Sequence, residues 1–211
     1  MNPSVDFYFD VGSPASYLAW TQLPALCAQS AATLNYKPML LGGVFQATGN
    51  RAPISVPSKG RYLFQDLDRC ARRLGVAFRL NPHFPLNTVS LMRIAAGLQL
   101  RDDPRLAAYV QAVFMAIWVD GRNMNQPETL ADVLGAAGLD PAALIALAAE
   151  PQAKDKLRQD TEAAVTRGVF GAPTMFVGHE MFWGQDRLDF VREALQAGTS
   201  PELPENLDFH H

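Results

Sequence analysis

The chain has little cysteine, no excess of one charge and no long apolar run, and each shortage narrows what it can be. Its 211 residues hold two cysteines, Cys27 and Cys70, far apart and in no C-x-x-C arrangement. That excludes a disulfide scaffold, and neither residue points to a zinc site. Both fall on apolar stripes of helical patterns, where a thiol behaves as a small buried hydrophobe. The histidines His83, His179, His210 and His211 are scattered, the last two ending the sequence, and no metal site is expected. Lys plus Arg number 18 against 21 Asp plus Glu, a net −3. The basic excess of a nucleic-acid binder is therefore missing. No window reaches the ~18 uncharged apolar residues of a membrane span. Residues 1–10 have no basic n-region and meet Asp6 and Asp10 early, so no secretory signal is expected and a cytoplasmic location is. What is present, 48% apolar and 18% charged residues, is the composition of a globular chain. A chain this long buries roughly 70% of its unfolded surface without a covalent staple.

Val5-Asp6-Phe7-Tyr8-Phe9-Asp10 is rich in strand formers and is punctuated by Gly12-Ser13-Pro14. Ser13 as N-cap, Pro14 at the first helical position and the apolar Tyr17, Leu18, Ala19, Leu23 and Leu26 predict one helix to about Gln29. Leu34–Met39 reads as a second strand, parallel to the first by a right-handed crossover. From Leu41 to about Arg167 only helical patterns occur. Leu63, Leu67, Cys70 and Leu74 share a face and Gly75 closes that helix. Asp103-Pro104 and Asp140-Pro141 each read as N-cap plus first residue. Of 30 alanines, 12 lie between Arg101 and Glu150, a density suited to closely packed helices. Pro173–Val177, a tight turn at Gly178-His179, and Glu180–Trp183 predict an antiparallel hairpin. Gly184-Gln185-Asp186 then leads into a last amphipathic helix through Leu188, Val191 and Leu195, stopping at Gly198. The order βαβ, helices, ββα is an α/β fold, a thioredoxin-like core with an inserted all-helical domain. The core takes residues 1–41 and 168–198, the insertion 42–167, and 199–211 form a polar tail.

Two segments carry chemistry. Ser13-Pro14-Ala15-Ser16 starts a helix, where free N–H groups and the macrodipole favour an anion. Thioredoxin-like redox proteins place C-x-x-C there; with serine at both positions, dithiol exchange is excluded. Ser13 is either a plain helix cap or a donor to a thiolate brought by a ligand. Such a charge-assisted bond is worth roughly 1.5–3 kcal/mol, a thiol pKa lowered by about one to two units. In Gly171-Ala172-Pro173-Thr174, the proline marks either a strand edge or a cis bond. A cis bond would leave the Ala172 backbone free to pair with an extended peptide.

The runs Asp6-Phe7-Tyr8-Phe9-Asp10, Ser13-Pro14 and Ser16-Tyr17-Leu18-Ala19 stand in order with Gly49-Asn50, Pro57, Lys59-Gly60, Tyr62, Asp66-Leu67 and Arg69. Phe170-Gly171-Ala172-Pro173-Thr174-Met175-Phe176 and Trp183-Gly184-Gln185-Asp186-Arg187-Leu188 complete the series. Together they resemble the 2-hydroxychromene-2-carboxylate isomerases, relatives of kappa-class glutathione transferases in the DsbA-like branch of the thioredoxin fold. The resemblance implies glutathione as cofactor, with Ser13 facing its sulfur and acting as the catalytic residue. Ala172, before a cis Pro173, would pair with the cysteinyl part; Gln185 and Asp186, at the start of the last helix, would hold the γ-glutamyl end, and Trp183 and Gly184 would also bind glutathione. A carboxylate such as Asp186 suits an α-ammonium. Asn50 and Lys59 would reach glutathione from the helical domain, Lys59 towards the glycyl carboxylate.

The reaction implied is addition of the glutathione thiolate to a conjugated carbon, rotation, and elimination, interconverting 2-hydroxychromene-2-carboxylate and trans-o-hydroxybenzylidenepyruvate. For an anionic aromatic substrate, Phe45, Phe84, Leu86, Phe114 and Trp118 are the expected apolar walls, although aromatics at helical spacing are also ordinary core. Isomerases of this kind carry a lysine and a tyrosine near the substrate, about where this chain has Phe45 and Leu86. His83, among Pro and Asn residues, reads as a surface-loop histidine. The family implies a homodimer. The same thiolate would serve a kappa-like transferase that conjugates or reduces an electrophile, and a non-catalytic glutathione- or peptide-binding module would keep the cleft alone.

Overall fold

Alternation along Val5, Phe7 and Phe9 sets the first strand, β1 (Ser4–Phe9), with those side chains buried on one face and Tyr8 on the other. The computed structural model describes residues 3–197; Gly198 and the tail expected at 199–211 lie outside them. β1 pairs in parallel with β2 (Thr33–Pro38) and antiparallel with β3 (Thr174–Val177). β3 turns into antiparallel β4 (Glu180–Trp183), so the sheet order is β2-β1-β3-β4.

Helices α1 (Pro14–Trp20) and α2 (Leu23–Gln29) join β1 to β2. A single helix was expected here. The chain forms two because Pro24 has no N–H for the Trp20 carbonyl and its ring would meet that oxygen. Between β2 and β3 come α3 (Leu41–Thr48), α4 (Pro57–Leu74), α5 (Val89–Leu100), α6 (Leu106–Trp118), α7 (Pro127–Ala136), α8 (Pro141–Ala149) and α9 (Pro151–Thr166), and α10 (Leu188–Ala197) follows the hairpin. Asp140 caps α8 as expected, accepting from the Ala143 N–H at 3.1 Å. Asp103 does not cap α6. Its carboxylate is taken by the Arg105 guanidinium and N–H, which hold its pKa at about 2 and delay the helix to Leu106.

The helices between β2 and β3 share one core with the sheet. Phe7 and Phe9 stack at 5.1 Å, Phe9 meets Phe114 of α6 at 5.9 Å, and the Trp118 indole N–H donates to the Val11 carbonyl at 2.9 Å. Each such buried ring contributes about 1.5–3 kcal/mol relative to exposure, so α6 is held directly under the end of β1. The opposite face of the sheet is covered by Met39, Val44, Ala164 and Phe176 around Tyr8. Among the described residues no helix is long and apolar enough to cross a membrane.

Candidate active site

The end of β1 delivers the chain to Ser13 through a braced turn. Ser13 is the N-cap of α1, and its Oγ accepts from the Ser16 N–H at 3.1 Å. The same hydroxyl donates to the Ala172 carbonyl at 3.1 Å, joining the two segments that sequence singled out. The Ala172–Pro173 bond is cis. The Ala172 carbonyl is thus engaged by Ser13 rather than free, whereas its N–H has no hydrogen-bond partner among the described residues. Ser16 is fully buried and its Oγ has no partner among the described residues. Of the two serines in Ser13-Pro14-Ala15-Ser16, the first alone therefore lines the cleft described below.

Beneath this turn lies Asp10, which sequence reading quoted but gave no role. Its carboxylate accepts from the Gly12 N–H (2.9 Å), the Leu41 N–H (2.9 Å) and the Thr88 hydroxyl (3.1 Å), and its backbone carbonyl accepts from the Ser13 N–H. Burial pushes its pKa above the ordinary carboxylate value, against the pull of those donors. One residue thereby ties the Ser13 turn to α3 and α5.

Ser13 opens into a cleft of about 360 Å³ that also includes Asn50, Lys59, Ala172, Pro173, Trp183 and Gly184, with Phe45 and Phe84 as apolar walls. Asn50 donates to the Phe170 carbonyl at 2.9 Å, anchoring the end of α3 to the loop before Pro173. Trp183 leans over the loop: a Cβ at Gly171 would stand 2.7 Å from the indole nitrogen, so a side chain there would displace the indole. Sequence reading missed Arg51, Pro53, Ile54 and Leu63, which also line the cleft. The proline-flanked apolar stretch from Ala52 to Pro57 was the available signal, since such a stretch reads as a loop beside a cleft. Among the described residues the lining has two cations, Arg51 and Lys59, and no carboxylate.

Five expected positions differ. Gln185 and Asp186 do not begin a helix; they form the turn before α10, which starts at Leu188. They line an adjoining depression with Cys70 instead of the Ser13 cleft. There the Gln185 amide donates to the Cys70 sulfur at 3.3 Å and Asp186 pairs with Arg187 at 2.7 Å. Phe114 and Trp118 are fully buried core, and Leu86 packs on that core outside the cleft lining. His83 is exposed on a turn, as expected, and is not among the lining residues. Among the described residues no three His, Cys, Asp or Glu side chains group as metal ligands.

These groups fit glutathione in kind. A hydroxyl and a free amide N–H stand together for a cysteinyl unit, and two cations stand near for carboxylates. A larger groove, of about 560 Å³, contains none of the expected residues. The smaller cleft is the candidate because the chemistry converges there.

Comparison with known proteins agrees with this fold. The family model of the DSBA-like thioredoxin domain matches residues 4–196. A 2-hydroxychromene-2-carboxylate isomerase of Sphingobium xenophagum is 34% identical over 200 residues, covering 92% of this chain and 99% of its own. A solved 2-hydroxychromene-2-carboxylate isomerase superposes with a TM-score of 0.80 at 36% identity, covering 92% and 95% of the two chains. A kappa 1 glutathione S-transferase of Caenorhabditis elegans is 27% identical over 217 residues, 97% of this chain and 95% of its own.

Proposed function

Since the chain belongs to the 2-hydroxychromene-2-carboxylate isomerase family of DsbA-like thioredoxin-domain proteins and is an enzyme, we propose that it isomerises an aromatic conjugated keto acid of that class with glutathione as cofactor. The observation that carries this reading is the Ser13 hydroxyl set 3.1 Å from the Ala172 carbonyl at the floor of a cleft with no thiol in its lining. Bound glutathione would supply a nucleophilic thiolate whose reversible addition makes a conjugated double bond rotatable.

The residues of the chain have separate tasks. Ser13 exchanges its bond to Ala172 for one to the sulfur. The lost neutral bond is worth about 0.5–1.5 kcal/mol and the charge-assisted one gained about 1.5–3 kcal/mol. The difference, about 1 kcal/mol, lowers the thiol pKa by about one unit. The Ala172 N–H pairs with the cysteinyl backbone. Lys59 and Arg51 draw carboxylates into the cleft, while Phe45, Phe84 and Leu63 exclude water from an aromatic body. Gln185 and Asp186, one turn away, take the γ-glutamyl end where it extends into their depression. A homodimer is part of the same proposal.

Ultraviolet titration of the glutathione complex tests the cofactor role. Thiolate absorbance is expected at lower pH than for free glutathione, moving up by about one unit in Ser13→Ala. Saturable binding without any shift would leave Ser13 a helix cap. The kappa-class likeness favours a second reading, transfer to an electrophile. Incubation with 2-hydroxychromene-2-carboxylate separates the two, because isomerisation returns free glutathione whereas transfer leaves a thioether.

A further inference from the structure

Helix α3 has a second face. Leu41 and Phe45, one turn apart, point to the Ser13 cleft, whereas Gly43, Gln46 and Ala47 point the other way, into the groove of about 560 Å³ between α3, α5 and α9. Its walls are apolar: Leu40, Val89, Leu157 and Val165 with Ala47. The wall is braced by Thr161, whose buried hydroxyl donates to the Leu157 carbonyl at 2.7 Å and accepts from the Leu40 N–H at 3.0 Å.

Four charged side chains face this space: Arg93, Lys154, Arg158 and Glu162. Arg158 is held by Glu162 at 2.9 Å, with Asp155 at 3.9 Å, so that side is neutralised. Arg93 and Lys154 have no ion-pair partner among the described residues. Arg93 is half-buried on α5, and Lys154 is exposed on α9 at the rim. In a chain of net charge −3, two uncompensated cations over an apolar groove set a local preference for an anion with an apolar body. A partly desolvated guanidinium binds a carboxylate in two-pronged fashion, and the volume lies within the range of small-molecule sites.

We propose that this groove is a second ligand site, taking a small carboxylate with an aromatic or aliphatic body held by Arg93 and Lys154. It is independent of glutathione and lies behind α3 from the Ser13 cleft.

Calorimetric titration with 2-naphthoate tests it. One saturable site per chain is expected on this face, weakened about tenfold by Arg93→Gln and several-fold by Lys154→Gln, and unchanged by Lys59→Gln in the cleft. Lys154 is exposed, so its variant keeps the test valid if Arg93→Gln folds poorly. The absence of saturable binding would overturn the proposal, as would weakening by Lys59→Gln alone. Sedimentation showing a dimer that Lys154→Glu splits, with no naphthoate bound, would assign the face to a second copy of the chain and overturn it equally.

Discussion

Ser13 and Ala172 stand 159 positions apart in the chain, yet the serine hydroxyl donates to the alanine carbonyl at 3.1 Å. That bond is the hinge of the proposed chemistry, because the donor a thiolate needs is already aimed at the loop expected to hold the cysteinyl backbone. The same oxygen accepts from the Ser16 N–H. Its cap role and its ligand role are compatible, since one uses the lone pair and the other the proton.

Lys59 and Ser13 should separate affinity from activation. Lys59→Gln removes a cation from a lining with no carboxylate. We expect glutathione to bind about five- to tenfold more weakly by calorimetry, with the thiol titration of the complex unmoved. A shifted titration with unchanged affinity would mean that Lys59 acts on the sulfur instead.

Ser16→Ala should be harmless or stabilising. The Ser16 hydroxyl is buried without a partner among the described residues, and such a group costs about 1–3 kcal/mol. Urea unfolding should show a gain of about 1 kcal/mol. Ser13→Ala should instead lose about 1 kcal/mol with its cap. Equal losses for both serines would show that Ser16 has a role the geometry does not contain.

Asp10 gives a pH signature. Its folded pKa is raised by burial, so the folded state holds the proton more tightly than the unfolded chain. Its contribution is then fully present below the ordinary carboxylate value of about 3.9 and is lost as the pH rises through the folded value. Asp10→Asn removes this titration and turns an amide NH2 either towards the Gly12 N–H or towards the Leu41 N–H and Thr88 hydroxyl together. Its stability deficit, about 1–3 kcal/mol, should be largest in acid and narrow towards neutral pH in denaturant midpoints. A deficit growing in the other direction would contradict the raised value.

Gly97→Ala tests the packing of α5 on α8. A Cβ there would stand 2.7 Å from Leu147 Cγ and 2.8 Å from its Cδ1, and Leu147 is buried. Overpacking costs about 1–3 kcal/mol, which outweighs the gain of up to about 1 kcal/mol in helix propensity. Thermal unfolding should show a lower midpoint, and the same Gly97→Ala change should cost less when made in a Leu147→Ala background, because the collision is gone there.

Sequence alone determined the strands and the order of strands and helical blocks, though not the break between α1 and α2. Alternation at Val5, Phe7 and Phe9, the proline and glycine punctuation, and the cap at Asp140 are local, and local rules read them. It also determined that the site has serine rather than cysteine, which removes dithiol chemistry whatever the fold. Tertiary structure decided which residues of a known helical face meet a cavity. Periodicity places Phe114 and Trp118 on an apolar stripe, but only the position of α6 under β1 shows that the stripe is closed by Phe9 and Val11. Phe45 and Phe84 look no different in sequence, yet they border open space. Asp10 likewise draws donors from Leu41 and Thr88, 31 and 78 positions away. Such a site is a meeting of distant segments, and the contacts that bring them together are long-range packing, which no window of sequence contains.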